Sequence, residues 1–435
     1  MKLAINGGKK LRTKPFPEYN TIGLEEENAV LRVLKSKKLS TYLGAWHDDF
    51  YGGIEVQSLE KEWAEFFNVK HAISVNSATS GLYAAIGAIG LNPGDEVIVS
   101  PYTMSATATA ILIYGGIPVF ADIEEEYFCI SANSIEDKIT SKTKAIMVTD
   151  LFGQIYDVER INEIAEKYNL KVIEDTAQAP YSKYKDSFAG TCSDIGIYSL
   201  NYHKHIHCGE GGIIVTNNDD LAFKLKLIRN HAESVLGTKG YEDKTDLVNM
   251  VGFNYRMTEI EAAISREQLN KLPKLVEKRL ENVDYFNSRL SEFHFIKIPK
   301  VRENCTHSYY VHPLLFESNC LSGIHRDIFI KAVKAELPKT MLRDDSDVLM
   351  GCGYVKPLYL LPIFQEKIAF GDKGYPFSLS TNTNYKKGIC PVVEDLHYNK
   401  LFTNEFIRPG MTKDDLDDVV NAFEKVYDNL DELLV

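Results

Sequence analysis

Several marks of specialised proteins are missing from this sequence. It has no CxxC pair, and its seven cysteines (Cys129, Cys192, Cys208, Cys305, Cys320, Cys352 and Cys390) stand singly. An odd, scattered set in a chain of 435 residues reads as free thiols in a reducing compartment, not as a disulfide framework. No Lys/Arg cluster is longer than KSKK at Lys35–Lys38, and the net charge is −12. That balance argues against nucleic acid or an anionic membrane as the main partner. The first residues, MKLAINGGKK, lack the apolar core of a secretion signal, so the expected location is the cytoplasm. No internal repeat or low-complexity stretch is visible. What remains, at 44% hydrophobic and 25% charged residues, is the composition of a folded soluble protein.

One run needs a check for membrane insertion. Val97 to Ala121 is free of charge and long enough to span a bilayer. It contains Pro101, Gly115, Gly116 and Pro118, and it parses as strand, turn, small-residue helix, turn and strand. Buried elements of an α/β core read that way.

From about residue 20 to 270, short apolar runs alternate with helix-length segments. The runs are AISV (72–75), VIVS (97–100), PVFADI (118–123), AIMVT (145–149), KVIED (171–175), IGIYSL (195–200) and GIIVT (212–216). Strands apolar on both faces, separated by helices, predict a mostly parallel sheet covered on both sides. Beyond Gly252 a helical run spans 257–290, followed by a strand-like SYYVHPLLF (308–316), a helix near Arg326–Glu336, an irregular stretch (351–392) and a final helix, Lys413–Leu434. The expectation is a large domain over 1–270 and a smaller α/β domain over 271–435.

In such sheets chemistry gathers at the carboxyl ends of strands. Three segments fall there. NSATSG (76–81) opens a helix after AISV, and its backbone N–H groups read either as an anion site or as an ordinary N-cap. IEDTAQAP (173–180) puts Asp175 at a strand end, as a buried functional carboxylate or a helix cap. SLNYHKHIHCGEGG (199–212) carries Ser199, Lys204 and a glycine turn. His203, His205 and His207 alternate there, but no fourth ligand is suitably spaced for zinc. A phosphate cradle, a strand-end carboxylate and a lysine on one sheet are together what a pyridoxal 5′-phosphate site requires.

The motifs KHAISVNSATSGL, NPGDEVIVSPYT, GGIPVFADI, VIEDTAQA, S-x4-K-x4-GEGG, GFNYRMTEIEAA and PGMTKDDLDDVV run nearly end to end. With them the chain resembles the DegT/DnrJ/EryC1/StrS sugar aminotransferases of fold type I, the aspartate-aminotransferase fold. The resemblance implies that Lys204 is the Schiff-base lysine and Asp175 the partner of the pyridine nitrogen. It implies that Gln178 packs against the cofactor ring and that Ala78, Thr79 and Ser199 bind the phosphate. It places Asn254 at the phosphate of a neighbouring subunit, hence a homodimer with shared sites. Arg256 is a candidate clamp for a substrate anion, with a surface ion pair to Glu259 or Glu261 as the plain alternative.

Two departures stand out. Met104 occupies the position where the family commonly stacks an aromatic residue on the cofactor, and Asp150 replaces the usual histidine before LFG. The loop TYLGAWHDDFYGG (41–53) is longer and more aromatic than usual; its Trp46, together with His307, is a candidate substrate contact. The implied activity is transfer of an amino group, from glutamate, to a keto sugar, most often nucleotide-linked, or to a similar small keto acceptor. Some relatives are sugar dehydratases with histidine in place of the lysine, and some aminotransferase-like domains act as regulators. Lys204 speaks against the first, and the absence of a spare DNA-binding segment against the second.

Overall fold

The computed structural model describes residues 2–232, 249, 251–339, 348–380 and 383–434. The chain begins with helices α1 (Leu24–Ser36) and α2 (Ile54–Phe67), then alternates through β1 (His71–Val75), α3 (Ala78–Ala88), β2 (Glu96–Val99), α4 (Ser105–Ile113), β3 (Ile117–Phe120), α5 (Ala132–Glu136), β4 (Thr143–Thr149), α6 (Val158–Tyr168) and β5 (Lys171–Asp175). A small ribbon of β6 (Lys183–Tyr184) and β7 (Ser187–Phe188) precedes β8 (Ile195–Ser199), β9 (Gly212–Thr216) and α7 (Asp219–Arg229).

The strands form a seven-stranded sheet in the order β1-β9-β8-β5-β4-β2-β3. β9 runs antiparallel to both its neighbours, and the remaining pairings are parallel. The apolar runs read from the sequence are these strands, and Val97, Ile98, Val99, Ile146, Met147, Ile173 and Ile214 are fully buried. Each such side chain contributes on the order of 1.5–3 kcal/mol by leaving water. The antiparallel strand has a consequence for chemistry. β8 ends at Ser199 on the carboxyl edge, and β9 starts at Gly212 on the same edge, so the loop carrying Lys204 is held there.

Helix α8 (Glu259–Leu290) crosses the expected domain boundary at residue 270. It starts in a capping box, in which Thr258 Oγ1 accepts from Glu261 N and the Glu261 carboxylate accepts from Thr258 N. A second, antiparallel sheet follows in the order β10 (Ile296–Lys297), β11 (His312–Phe316), β13 (Leu401–Asn404), β12 (Met350–Cys352). Helices α9 (Arg326–Glu336) and α12 (Lys413–Tyr427) pack into the core on this sheet. Leu3 and Phe16 belong to that core too. The expected division assigned this segment to the large domain; its apolar side chains instead bury against the C-terminal strands and helices.

The run SYYVHPLLF is a strand only from His312 onward. Tyr309 has φ +48°, which breaks the extended backbone before it. Short helix α10 (Pro362–Gln365) punctuates the irregular stretch and α11 (Pro391–Asp395) closes it; Leu358, Tyr359, Phe364 and Val393 pack into the core of the large sheet. Among the described residues no helix is long and apolar enough to cross a membrane, and Val97–Ala121 forms β2, α4 and β3.

Candidate active site

Asp175 is the last residue of β5 and is 4% exposed. A carboxylate there needs donors, and it has two: Thr107 Oγ1 at 2.7 Å on Oδ2, and Ala177 N at 3.2 Å on Oδ1. Burial raises its pKa; the Thr107 hydroxyl, the Ala177 N–H and the charge of Lys204 oppose that rise. Thr107 comes from α4, whose small residues (SATATAILI) let the helix lie close to the sheet.

Lys204 is 9% exposed, and its Nζ has no hydrogen-bond partner among the described residues. It lies 4.3 Å from the centre of the Tyr310 ring, a cation–π distance. Burial lowers its pKa to about 8, with the charge of Asp175 pulling the other way. An amine so placed is a base and a nucleophile near neutral pH, where an exposed lysine would be locked as ammonium. The flanking histidines do not form one extended face, because 202–206 is a succession of turns and bends. His205 is buried, with Nε2 2.9 Å from Ser308 O.

The anion site lies at the start of α3. Ser77 is the N-cap, its Oγ accepting from Ser80 N at 3.1 Å. The N–H groups of Ala78 and Thr79 are left without a partner among the described residues. Gly212 pairs with Val75 on one side and Ser199 on the other, which lines up three strand ends beneath this helix. A Cβ on Gly212 would sit 2.6 Å from Ala78 N, so only glycine leaves that amide open. Free amides at a positive helix end, a buried amine without a partner and a buried carboxylate make a donor set that fits pyridoxal phosphate.

Gln178 has its amide held by two bonds: Oε1 accepts from Phe152 N at 2.8 Å, and Nε2 donates to the Tyr354 hydroxyl at 2.9 Å. Met104 is the N-cap residue of α4 and is 61% exposed. Asn254 is exposed; its Oδ1 accepts from Arg256 Nε at 2.8 Å, and its carbonyl lies 3.5 Å from Asn76 Nδ2, next to the N-cap of α3. Arg256 also reaches Asn230 Oδ1 at 3.5 Å. The alternative ion pairs to Glu259 or Glu261 are not formed. Glu259 instead accepts from Glu55 N, and Glu261 closes the capping box of α8.

Trp46 packs on Phe50, with ring centres 4.7 Å apart, and on Phe223 of α7. His307 is buried and stacked 3.8 Å from the Tyr309 ring, with Nδ1 accepting from Tyr309 N. Burial and His312 push its pKa down to about 3, so it is neutral. Thr107, Tyr310 and Tyr354 surround the lysine and carboxylate without having been singled out in the sequence. Only the small-residue texture of α4 pointed toward Thr107.

The sequence model of the DegT/DnrJ/EryC1/StrS aminotransferase family matches residues 22–424. A GDP-perosamine synthase of Caulobacter vibrioides is 39% identical over 54% of this chain and 62% of its own length. An L-glutamine:2-deoxy-scyllo-inosose aminotransferase of Streptomyces lividus is 27% identical over 98% of this chain and 97% of its own length. An aminotransferase from Psychrobacter cryohalolentis superposes with a TM-score of 0.78 at 27% identity, covering 96% of this chain and all of that one. The mostly parallel sheet and these likenesses bear out fold type I. The chain belongs to the DegT/DnrJ/EryC1/StrS aminotransferase family and is a pyridoxal-phosphate-dependent aminotransferase.

Proposed function

We propose that this enzyme moves an amino group from glutamate or a close amino-acid donor to the ketone of a sugar or sugar-like ring, in the cytoplasm. The observation that carries the reading is Lys204. Its buried amine has no hydrogen-bond partner among the described residues, faces Asp175, and has a pKa of about 8. A relative named for a GDP-linked product and another named for an inosose support nucleotide-linked sugars and cyclitol ketones as the acceptor class. The second name also makes glutamine a donor to test.

When bound, pyridoxal phosphate supplies the electron sink that makes the donor's α-proton acidic. Lys204 Nζ takes that proton and gives it back, a role that suits an amine titrating near neutrality. Asp175, held by Thr107, would partner the pyridine nitrogen of the cofactor. The Ala78 and Thr79 amides and Ser199 bind phosphate; Gln178 and Met104 contact the ring. Arg256, Trp46 and His307 are the candidate acceptor contacts. Asn254 acts across a homodimer whose sites are shared, and residues 1–270, apart from the N-terminal segment carrying Leu3 and Phe16, form the cofactor-holding domain.

The test is a donor half-reaction followed by an acceptor panel. Adding glutamate or glutamine should shift the visible absorbance of the holoenzyme, and a keto sugar should restore it. Reduction with borohydride should leave the phosphopyridoxyl group on Lys204. A label on another residue ends the lysine assignment; a full donor response with no acceptor among nucleotide-linked or free keto sugars and cyclitol ketones ends the acceptor assignment.

A further inference from the structure

The segment that follows β12 enters the cleft from the C-terminal part of the chain, and it is held there firmly. Gly353 N donates to Leu401 O at 2.7 Å, Tyr354 N donates to the Tyr102 hydroxyl at 2.8 Å, and Leu358 N donates to Pro101 O at 2.8 Å. Gly353 has φ +67°, and a Cβ on it would lie 2.6 Å from His397 Nδ1, so the approach depends on glycine. The Tyr102 hydroxyl also lies 3.1 Å from that same His397 nitrogen. The Tyr354 ring is set edge-on between Tyr102, with centres 6.0 Å apart, and Phe152, at 5.0 Å. Its torsion is therefore fixed by packing on two sides.

The hydroxyl of Tyr354 accepts from Gln178 Nε2 at 2.9 Å. The other end of that amide accepts from Phe152 N, so a flipped amide would set donor against donor there, while the Tyr354 hydroxyl holds the opposite end in place. Gln178 is 4% exposed, and water cannot easily replace either partner.

We propose that Tyr354 is a positioning residue that acts through Gln178, anchoring the side chain that touches the cofactor ring. The inference rests on the reading of Gln178 given above. Its consequence is that cofactor retention depends on a phenol delivered from a different part of the chain than the lysine and carboxylate.

A double-mutant cycle on the holoenzyme tests it, with the rate of pyridoxal phosphate release as the readout. Tyr354→Phe keeps both ring contacts and removes only the hydroxyl; release should quicken by roughly three- to tenfold, as expected for one buried hydrogen bond, with the melting temperature lowered by no more than a few degrees. In a Gln178→Ala background the same substitution should change the release rate by less than twofold. A Tyr354→Phe protein that holds cofactor like the parent overturns the proposal. So does an equal factor in both backgrounds, which would mean that the hydroxyl meets a ligand directly or acts elsewhere. Should Tyr354→Phe not fold, Tyr102→Phe, which frees the 354 main chain while keeping its ring, reads the same dependence on Gln178. Borohydride mapping of the parent is done first: no label on Lys204 sinks the cofactor assignment, whereas additivity with Lys204 labelled sinks only the role of Tyr354.

Discussion

Thr107 Oγ1 donates to Asp175 Oδ2 at 2.7 Å, and Thr107 is itself within 3.2 Å of Thr103 Oγ1, with all three residues buried. The strand-end carboxylate is thus held by a helix that the sequence pattern marks only as small and apolar. Thr107→Val preserves shape and removes the donor. Since that hydroxyl lowers the Asp175 pKa, its loss raises it further. Turnover should fall by roughly three- to tenfold, and the acid limb of the pH profile should move to higher pH. An unchanged acid limb would show that the hydroxyl does not tune Asp175.

Lys204 should capture pyridoxal phosphate faster as pH rises through about 8, because only the neutral amine attacks. Asp175→Asn removes the charge that raises this pKa, so the midpoint should move down. Tyr310→Leu removes the ring beneath the amine and should lower it too, by less than one unit, whereas Tyr310→Phe should not. Stopped-flow capture against a free-lysine control gives these midpoints. An upward shift in Asp175→Asn would contradict the geometry.

Asp150 and Glu174 lie behind Asp175 and are both fully buried. Asp150 Oδ1 accepts from Tyr156 N, and Glu174 Oε1 accepts from Gly190 N at 2.6 Å, while the second oxygen of each meets no donor. Burial raises both pKa values, and mutual repulsion raises that of Asp150 further, so one proton shared between them satisfies the pair. Tyr156, Tyr198, Cys129, Cys192 and Cys305, titratable groups that also face the pair, are kept neutral by burial. Raised folded-state values mean that this contribution to stability is present at acid pH and lost as pH climbs through them. Glu174→Gln supplies a permanent donor, so its melting temperature should fall less, by a few degrees, as pH rises above the ordinary carboxylate range. Parallel curves for the two proteins would rule out the shared proton.

Mixing Lys204→Ala protein with an Asn254→Ala/Arg256→Ala double mutant should restore activity if sites are shared. Hybrid dimers would carry one site with both defects and one with neither, up to about a quarter of all sites after random exchange. Size-tagged copies report exchange independently. Exchange without recovery would mean that Asn254 serves its own chain, whose Asn76 it already approaches.

The parallel strands, the helix opened by Ser77 and the placement of Asp175 and Lys204 were legible in the sequence by itself. Each rests on local rules: apolar runs bounded by turns, a hydroxyl at a helix start, a charge where a strand stops. Spacing sufficed because β8 and β9 are adjacent antiparallel strands, so the loop between Ser199 and Gly212 has one edge to occupy. Tyr310 and Tyr354 were beyond such rules. The SYY of SYYVHPLLF has the aromatic texture of a strand, yet left-handed backbone at Tyr309 ends the extension and puts Tyr310 under Lys204. Tyr354 reaches Gln178 across 176 residues of chain. Periodicity reports whether a residue is buried; which remote segment buries it is decided by how the two sheets and α8 bring distant loops to one edge, and only the tertiary structure holds that information.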